Sequence, residues 1–177
     1  MKRGKNMESA IIASIVTAVL TLIGTLYIQK RNNEHKYKRA ALYLYLNLRQ
    51  LKKEIDDDKK NIDSKTQCNL MPYPNQIDYI SVICSLNEKL SKEDILSINE
   101  FYEKVKILNN AKMSYAQAES NYYIFLTTGQ NMGNPYDVPR NNMYQCFTQW
   151  INAVCNDENY KKNIVEIISK LEKMKDK

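Results

Sequence analysis

The chain has 177 residues and a formal net charge of +6, with 26 lysines and arginines against 20 aspartates and glutamates. Most of these cations are lysines, and a concentrated arginine face of the kind that binds nucleic acid is missing, so nucleic acid is not expected as a partner. The single histidine, His35, cannot supply a two-histidine zinc site, and no Cys-x-x-Cys pair replaces it. The four glycines do not form a phosphate-binding loop. We therefore predict no catalytic, cofactor-binding or metal-binding residues, and expect that the protein is not an enzyme.

A stretch of twenty uncharged residues, 9–28, follows a short basic tail of residues 1–8. At about 1.5 Å per residue, a helix of this length spans roughly 30 Å, the thickness of the hydrocarbon core of a bilayer. A cleaved signal peptide is the alternative, but the apolar stretch is longer than usual and no small-x-small cleavage site follows it. The sequence predicts a retained, single transmembrane helix.

The predicted transmembrane helix has its small residues on one face and its large branched residues on the other, at 100° per residue. Small residues let helices approach closely in lipid, and hydroxyl groups can hydrogen-bond between helices. We predict a contact face that supports a homo-oligomer; packing against an unrelated span, or no packing, is the alternative. The face consists of Ala10, Ser14, Thr17, Ala18, Thr21, Gly24 and Thr25.

Basic residues directly follow the predicted span, and anionic lipid head groups attract such side chains. The positive charge on this side exceeds that of the tail, which predicts a cytoplasmic C-terminal domain at the cell membrane. The predicted head-group contacts are Lys30, Arg31, Lys36, Lys38 and Arg39.

The rest of the chain, residues 29–177, has the apolar periodicity of helices and no convincing alternating strand. No glycine or proline occurs between Thr25 and Lys65, so the transmembrane helix is expected to continue into the first helix of the domain. The fold class is therefore predicted to be all-α, a cytosolic bundle of about five helices. The expected helices are 29–62, 77–90, 92–126, 140–155 and 157–175, with a loop over 64–76.

The first helix has an apolar stripe at 4-3-4-3-4 spacing, formed by Tyr37, Ala41, Leu44, Leu48, Leu51 and Ile55. Leu42 and Leu46 are expected to widen this stripe. The polar run 56–61 reads as a solvated helix end, since three adjacent aspartates, residues 56–58, point in different directions and cannot converge on one Mg²⁺ ion. Ser91 and Asp94 have the spacing of an N-terminal cap for the third helix.

The four cysteines and one loop permit two interpretations each. Cys68, Cys84, Cys146 and Cys155 could form disulfides in an oxidising compartment, but free thiols in helical apolar patterns are favoured. The polar loop 127–140 could mediate binding, although a connector between antiparallel helices is preferred.

The layout is similar to that of many small bacterial membrane-tethered helical proteins, and no motif is specific enough to assign a site. We predict an interaction, recruitment or sensing module at the inner face of the membrane, with lipids and an unidentified protein as partners. A membrane-disrupting protein of the holin or toxin kind is the first alternative, and an enzyme with an unrecognised site is the second.

Overall fold

The computed structural model describes residues 2–74, 78–128 and 135–176, with side chains from residue 17 to residue 175 within these ranges. The described residues form helices, turns and loops and contain no strand, which confirms the all-α helical bundle. A short π-helical turn, Asn159–Asn163, precedes the last helix. The α-helices are α1 (Lys2–Asp63), α2 (Tyr79–Leu86), α3 (Lys92–Thr127), α4 (Asp137–Asn156) and α5 (Ile164–Asp176).

Helix α1 is the longest element, with 62 residues, and its inner face forms one side of the core. The predicted stripe from Ala41 to Ile55 is fully buried, and Tyr37 packs against its edge. Leu42 and Leu46 are exposed, so the expectation that they widen the stripe is wrong. The reason is that the helices packed against α1 cover one side of it only.

Helix α1 does not fade within the polar run 56–61 but continues to Asp63. Lys65 then adopts a left-handed conformation with φ 55°. The amide of Thr66 donates to the carbonyl of Asn61 at 2.8 Å, and the amide of Lys65 donates to that of Ile62 at 3.1 Å. This pair of hydrogen bonds is the Schellman motif, which satisfies the last carbonyl groups of a helix and stops it.

The other helices run up and down along α1. Helix α3 is parallel to α1, because Tyr102 contacts Asn47 and Lys112 contacts Asp58. Helix α5 is antiparallel to α1, with Tyr160 beside Asp56. Helix α4 is antiparallel to α3, and α2 returns along the first half of the bundle. We call the end of the bundle near Tyr37 proximal and the opposite end distal.

Several local features differ from the expected pattern. Helix α2 is short: it begins at Tyr79, behind a cap in which the Asp78 carboxylate accepts from the Ser81 amide at 3.2 Å, and residue 77 lies outside the described residues. Ile80 and Cys84 lie on the exposed side of α2. The capping box of Ser91 and Asp94 at the start of α3 is confirmed.

In the part of α1 that precedes the bundle, the described side chains are exposed. From residue 17 to residue 36 they are exposed, apart from the half-buried Gly24, and the first buried one is Ala40. In the part of the chain that the structure describes, no helix combines the length and the apolar character needed to cross a membrane. The first half of the predicted span, residues 9–16, lies outside the described side chains.

Substitutions at two neighbouring leucines test this arrangement of α1. Leu48→Ala should lower the free energy of unfolding by about 2–5 kcal/mol, because Leu48 is fully buried and its loss leaves a cavity. Leu46→Ala, on the exposed side of the same helix, should change it by less than about 0.5 kcal/mol. Denaturant titration of the full-length chain in mild detergent, followed by circular dichroism, measures both values. Equal losses would contradict the described orientation of the helix.

Candidate functional site

The predicted contact face lies on the free-standing part of α1. The side chains of Ala10 and Ser14 are outside the described residues, and those of Thr17, Ala18, Thr21 and Thr25 are exposed. The hydroxyl groups of Thr21 and Thr25 each donate to the carbonyl four residues earlier, at 2.8 Å. A Cβ atom placed on Gly24 would have no neighbour within 4 Å, so this face leaves room for another helix.

The predicted head-group residues lie between the apolar segment and the bundle. Lys30, Arg31, Lys36 and Arg39 are exposed, whereas Lys38 is half-buried and lines a groove of about 410 Å³ at the proximal end. In this groove, the hydroxyl of Tyr37 donates to Glu88 at 2.7 Å and thereby raises the pKa of Tyr37. This contact attaches the turn after α2 to α1 at the point where the bundle begins.

A buried charged cluster joins α1, α3 and the loop between α1 and α2 in the distal half. The ammonium group of Lys112 lies 2.7 Å from the Asp58 carboxylate, and both side chains are almost fully buried. The hydroxyl of Tyr73 donates to the same carboxylate oxygen at 2.6 Å, and Lys112 Nζ lies 4.0 Å from the centre of the Tyr73 ring. Burial and the hydrogen bond to Asp58 raise the pKa of Tyr73, so its hydroxyl stays protonated and keeps donating.

Two thiols lie close to buried polar groups, but they are not activated. The Sγ atom of Cys68 is 3.9 Å from the Asp58 carbonyl oxygen, and burial raises the pKa of Cys68 to about 11. Burial likewise raises the pKa of Cys155 to about 11. At neutral pH both groups are therefore thiols, which are poor nucleophiles. All four cysteines carry free thiols in the described structure.

The prediction that residues 56–58 form a solvated helix end is wrong for Asp58, which is buried, whereas Asp57 is exposed and Asp56 is partly exposed. Asp56 accepts a hydrogen bond from the hydroxyl of Tyr160 at 2.7 Å and pairs with Lys52 at 2.7 Å. A signal for Asp58 was present in the sequence: it follows Leu51 and Ile55 at the same 4-3 spacing as the apolar stripe. Lys112 holds the corresponding position after Leu108 on α3. Opposite charges in phase with two apolar stripes indicate a buried ion pair.

A second polar network joins α3 and α4 near the distal end. The guanidinium of Arg140 donates to the largely buried carboxylate of Glu119 at 2.6 Å and lies 3.8 Å from that of Asp137. It also lies over the ring of Tyr122, 4.4 Å from its centre. The hydrogen bond to Glu119 raises the pKa of Arg140. This network joins α3 to the start of α4 on the two sides of the predicted loop 127–140. The loop is shorter than predicted, because α4 begins at Asp137, and residues 129–134 lie outside the described residues.

Within the described ranges, no group of histidine, cysteine, aspartate or glutamate side chains could hold a metal ion. No protein-family model, no curated protein and no solved structure matches this chain. The candidate site therefore rests on the chain's own geometry. It combines a free-standing apolar segment of α1, the basic residues at 30–39 and a helical bundle with buried charge pairs.

The buried ion pair gives the second testable prediction. Lys112→Met should lower the free energy of unfolding by about 3–5 kcal/mol, because it leaves the Asp58 carboxylate buried without its cation. Adding Asp58→Asn should recover most of this loss, since a neutral amide oxygen can still accept from Tyr73 without requiring a counter-charge. Thermal and denaturant unfolding of the full-length chain measure both effects. A double variant as unstable as Lys112→Met alone would contradict the importance of the charge.

Proposed function

We propose that this chain is a single-pass membrane protein of the cell membrane whose helical domain works in the cytoplasm as an interaction, recruitment or sensing module. In this proposal residues 9–28 cross the bilayer, residues 30–39 lie at the lipid head groups, and the bundle binds a protein partner without catalysing a reaction. The observation that carries the proposal is the uncovered apolar surface at the start of α1.

Large apolar side chains on this part of α1 are each about half exposed or more, and they are clustered. An isolated helix with such a surface in water would present a contiguous apolar patch, which in proteins marks a membrane or protein contact. A bilayer would cover this face and the opposite face of small residues at once, since neither face carries a charge. The exposed residues are Val19, Leu20, Leu22, Ile23, Leu26 and Ile28.

The spacing along α1 also supports this position. From Ile28 to the first buried residue of the bundle, Ala40, a helix rises about 18 Å, which is enough to pass through the head-group layer. The exposed cations Lys30, Arg31 and Lys36 lie within this interval. Anionic cytoplasmic lipids would attract each of them by about 1 kcal/mol.

The bundle itself favours binding over chemistry. Asp58 and Lys112, its most deeply buried charges, are saturated by each other and by Tyr73, so they are committed to the core. Cys68 and Cys155 are protonated thiols. By contrast, the bundle exposes several apolar and aromatic side chains at its surface, among them Tyr123 and Trp150, which are residue types enriched at protein interfaces.

Membrane fractionation tests the proposal. The full-length chain should stay in the membrane pellet after a carbonate wash, and cross-linking in those membranes should place it in adducts of higher mass. The double variant Leu20→Arg with Ile23→Arg should leave the pellet, because two cations at the centre of a span oppose insertion.

The matched control is Leu46→Arg, which places the same charge on an exposed apolar position of the same helix inside the bundle. It should remain in the pellet. A soluble form that begins near residue 30 would overturn the retained anchor, and a chain that forms no adduct in the membrane would overturn the interaction role.

A further inference from the structure

The distal end of the bundle is a two-helix hairpin with very few charges. We define the distal hairpin as residues 113–128, at the end of α3, and residues 135–147, at the start of α4. The sequence from 113 to 156 contains only three charged residues, Glu119, Asp137 and Arg140, although charged residues make up 26% of the chain. These three pair with one another. Two acidic residues and one basic residue leave the distal hairpin with a net charge of only −1, and its surface is rich in aromatic and amide side chains.

The inward stripe of α3 continues into the distal hairpin, beyond the level at which α1 ends. Through Ile98, Val105 and Lys112 this stripe is buried in the core, where Lys112 reaches Asp58 of α1. Since Lys112 is level with Asp58 and α1 ends at Asp63, α3 extends about ten residues, roughly 15 Å, beyond α1. There the same stripe reaches Tyr123 and Leu126, each 52% exposed. The face of α3 that is buried in the core thus continues beyond the end of α1, where no described helix of the chain covers it.

We propose that a second copy of this chain covers the distal hairpin, so that two hairpins form a four-helix arrangement. In the proximal half, α1, α2, α3 and α5 already surround a core, whereas the distal end has α3 and α4 alone. Two antiparallel pairs related by a two-fold axis supply four helices and bury the apolar stripe of each. Val138, 67% exposed at the start of α4, lies at the same end and adds to the apolar surface.

The charge distribution favours a second copy as the occupant. A surface that meets itself across a two-fold axis places each charge near its own like charge, which costs affinity. The distal hairpin keeps this cost small, because Glu119 and Asp137 both lie beside Arg140 and only one unit of negative charge is left on each copy. The remainder of the chain, which carries the net positive charge, would repel its own copy.

This inference rests on the proposed membrane anchor in one respect. Two copies anchored in one membrane by the same α1 hold their distal hairpins at the same height and in the same orientation. Such confinement raises the effective concentration of one hairpin at the other, so a modest interface is sufficient. The contact at the distal hairpin is separate from any contact between the transmembrane helices.

Site-specific photo-cross-linking in membranes tests this contact. A photoreactive phenylalanine analogue at Tyr123 of the full-length chain should give an adduct of twice the 20.7 kDa chain mass, with the linked peptide in the distal hairpin of the second copy. The same probe at Leu96, which is at least as exposed on α3 but lies at its proximal end, should give none.

Charge substitution then identifies the partner. Leu126→Glu should reduce the yield of the adduct by about tenfold or more, because both copies acquire the same charge. Co-expression of a Leu126→Glu chain with a Leu126→Lys chain should restore it. An unchanged unfolding temperature shows that each variant is folded, as expected for an exposed position.

Three results would overturn the proposal: no adduct at Tyr123, an adduct with a different protein only, or an adduct that Leu126→Glu leaves unchanged. Carbonate washing of the same membranes reads out the anchor independently. A chain that stays in the pellet without forming the adduct therefore refutes the second copy and leaves the membrane anchor standing.

Discussion

The continuity of α1 is the constraint on which the rest of the structure depends. One helix of 62 residues contains both the uncovered apolar segment and the stripe against which the bundle packs. Because no glycine or proline interrupts it between Thr25 and Lys65, every backbone hydrogen bond across the junction can form. The proximal end of the bundle is consequently held at a fixed distance from the apolar segment, and its distal end points away from it.

Buried polar contacts set the register of the helices along α1. Tyr102 donates to Asn47 at 2.6 Å, and Lys112 lies 2.7 Å from Asp58, so two polar pairs fix how far α3 is shifted along α1. The loop after α1 is fixed in the same way, since the amide of Tyr73 donates to the side chain of Asn109 at 2.7 Å. A one-turn shift would leave these groups buried without partners, which costs far more than the apolar contacts alone would lose. The apolar stripes of α1 and α3 are buried in one common core, and the polar pairs select the alignment of α3 relative to α1.

The periodicity of the apolar residues was enough to predict the fold class and the inner face of α1, because burial at 3.6-residue spacing is a local property of the sequence. It failed for Leu42 and Leu46, because how much of a helix is covered depends on how many helices pack around it. The prediction also failed for Asp58. An aspartate is normally exposed, but Asp58 follows Leu51 and Ile55 at the spacing of the apolar stripe and is therefore on the buried face. Charged and amide residues need a partner on another helix, such as Lys112, and that pairing is visible only once both stripes are aligned.

The distal hairpin could likewise be predicted from the sequence only in part. Its scarcity of charges is a property of the sequence, but only the structure places Tyr123 and Leu126 beyond the end of α1. Similarly, the basic residues at 30–39 were identified from composition, whereas their exposure along a free-standing helix follows from where the bundle begins. Lys38 differs from its neighbours because it borders the groove beside Tyr37. The arrangement of the apolar segment, the basic residues at 30–39 and the charge-poor distal end along one axis depends on α1 remaining straight.

The distance along α1 tests this continuity most directly. Spin labels on non-canonical amino acids at Gln29 and Lys53, both exposed on α1, bracket the junction between the apolar segment and the bundle. In the full-length chain in membranes, pulsed electron paramagnetic resonance should give one narrow distribution centred near 36 Å, from about 1.5 Å per residue. A broad distribution, or a centre many ångströms shorter, would show that the helix is broken at the junction and would contradict a rigid connection between the two.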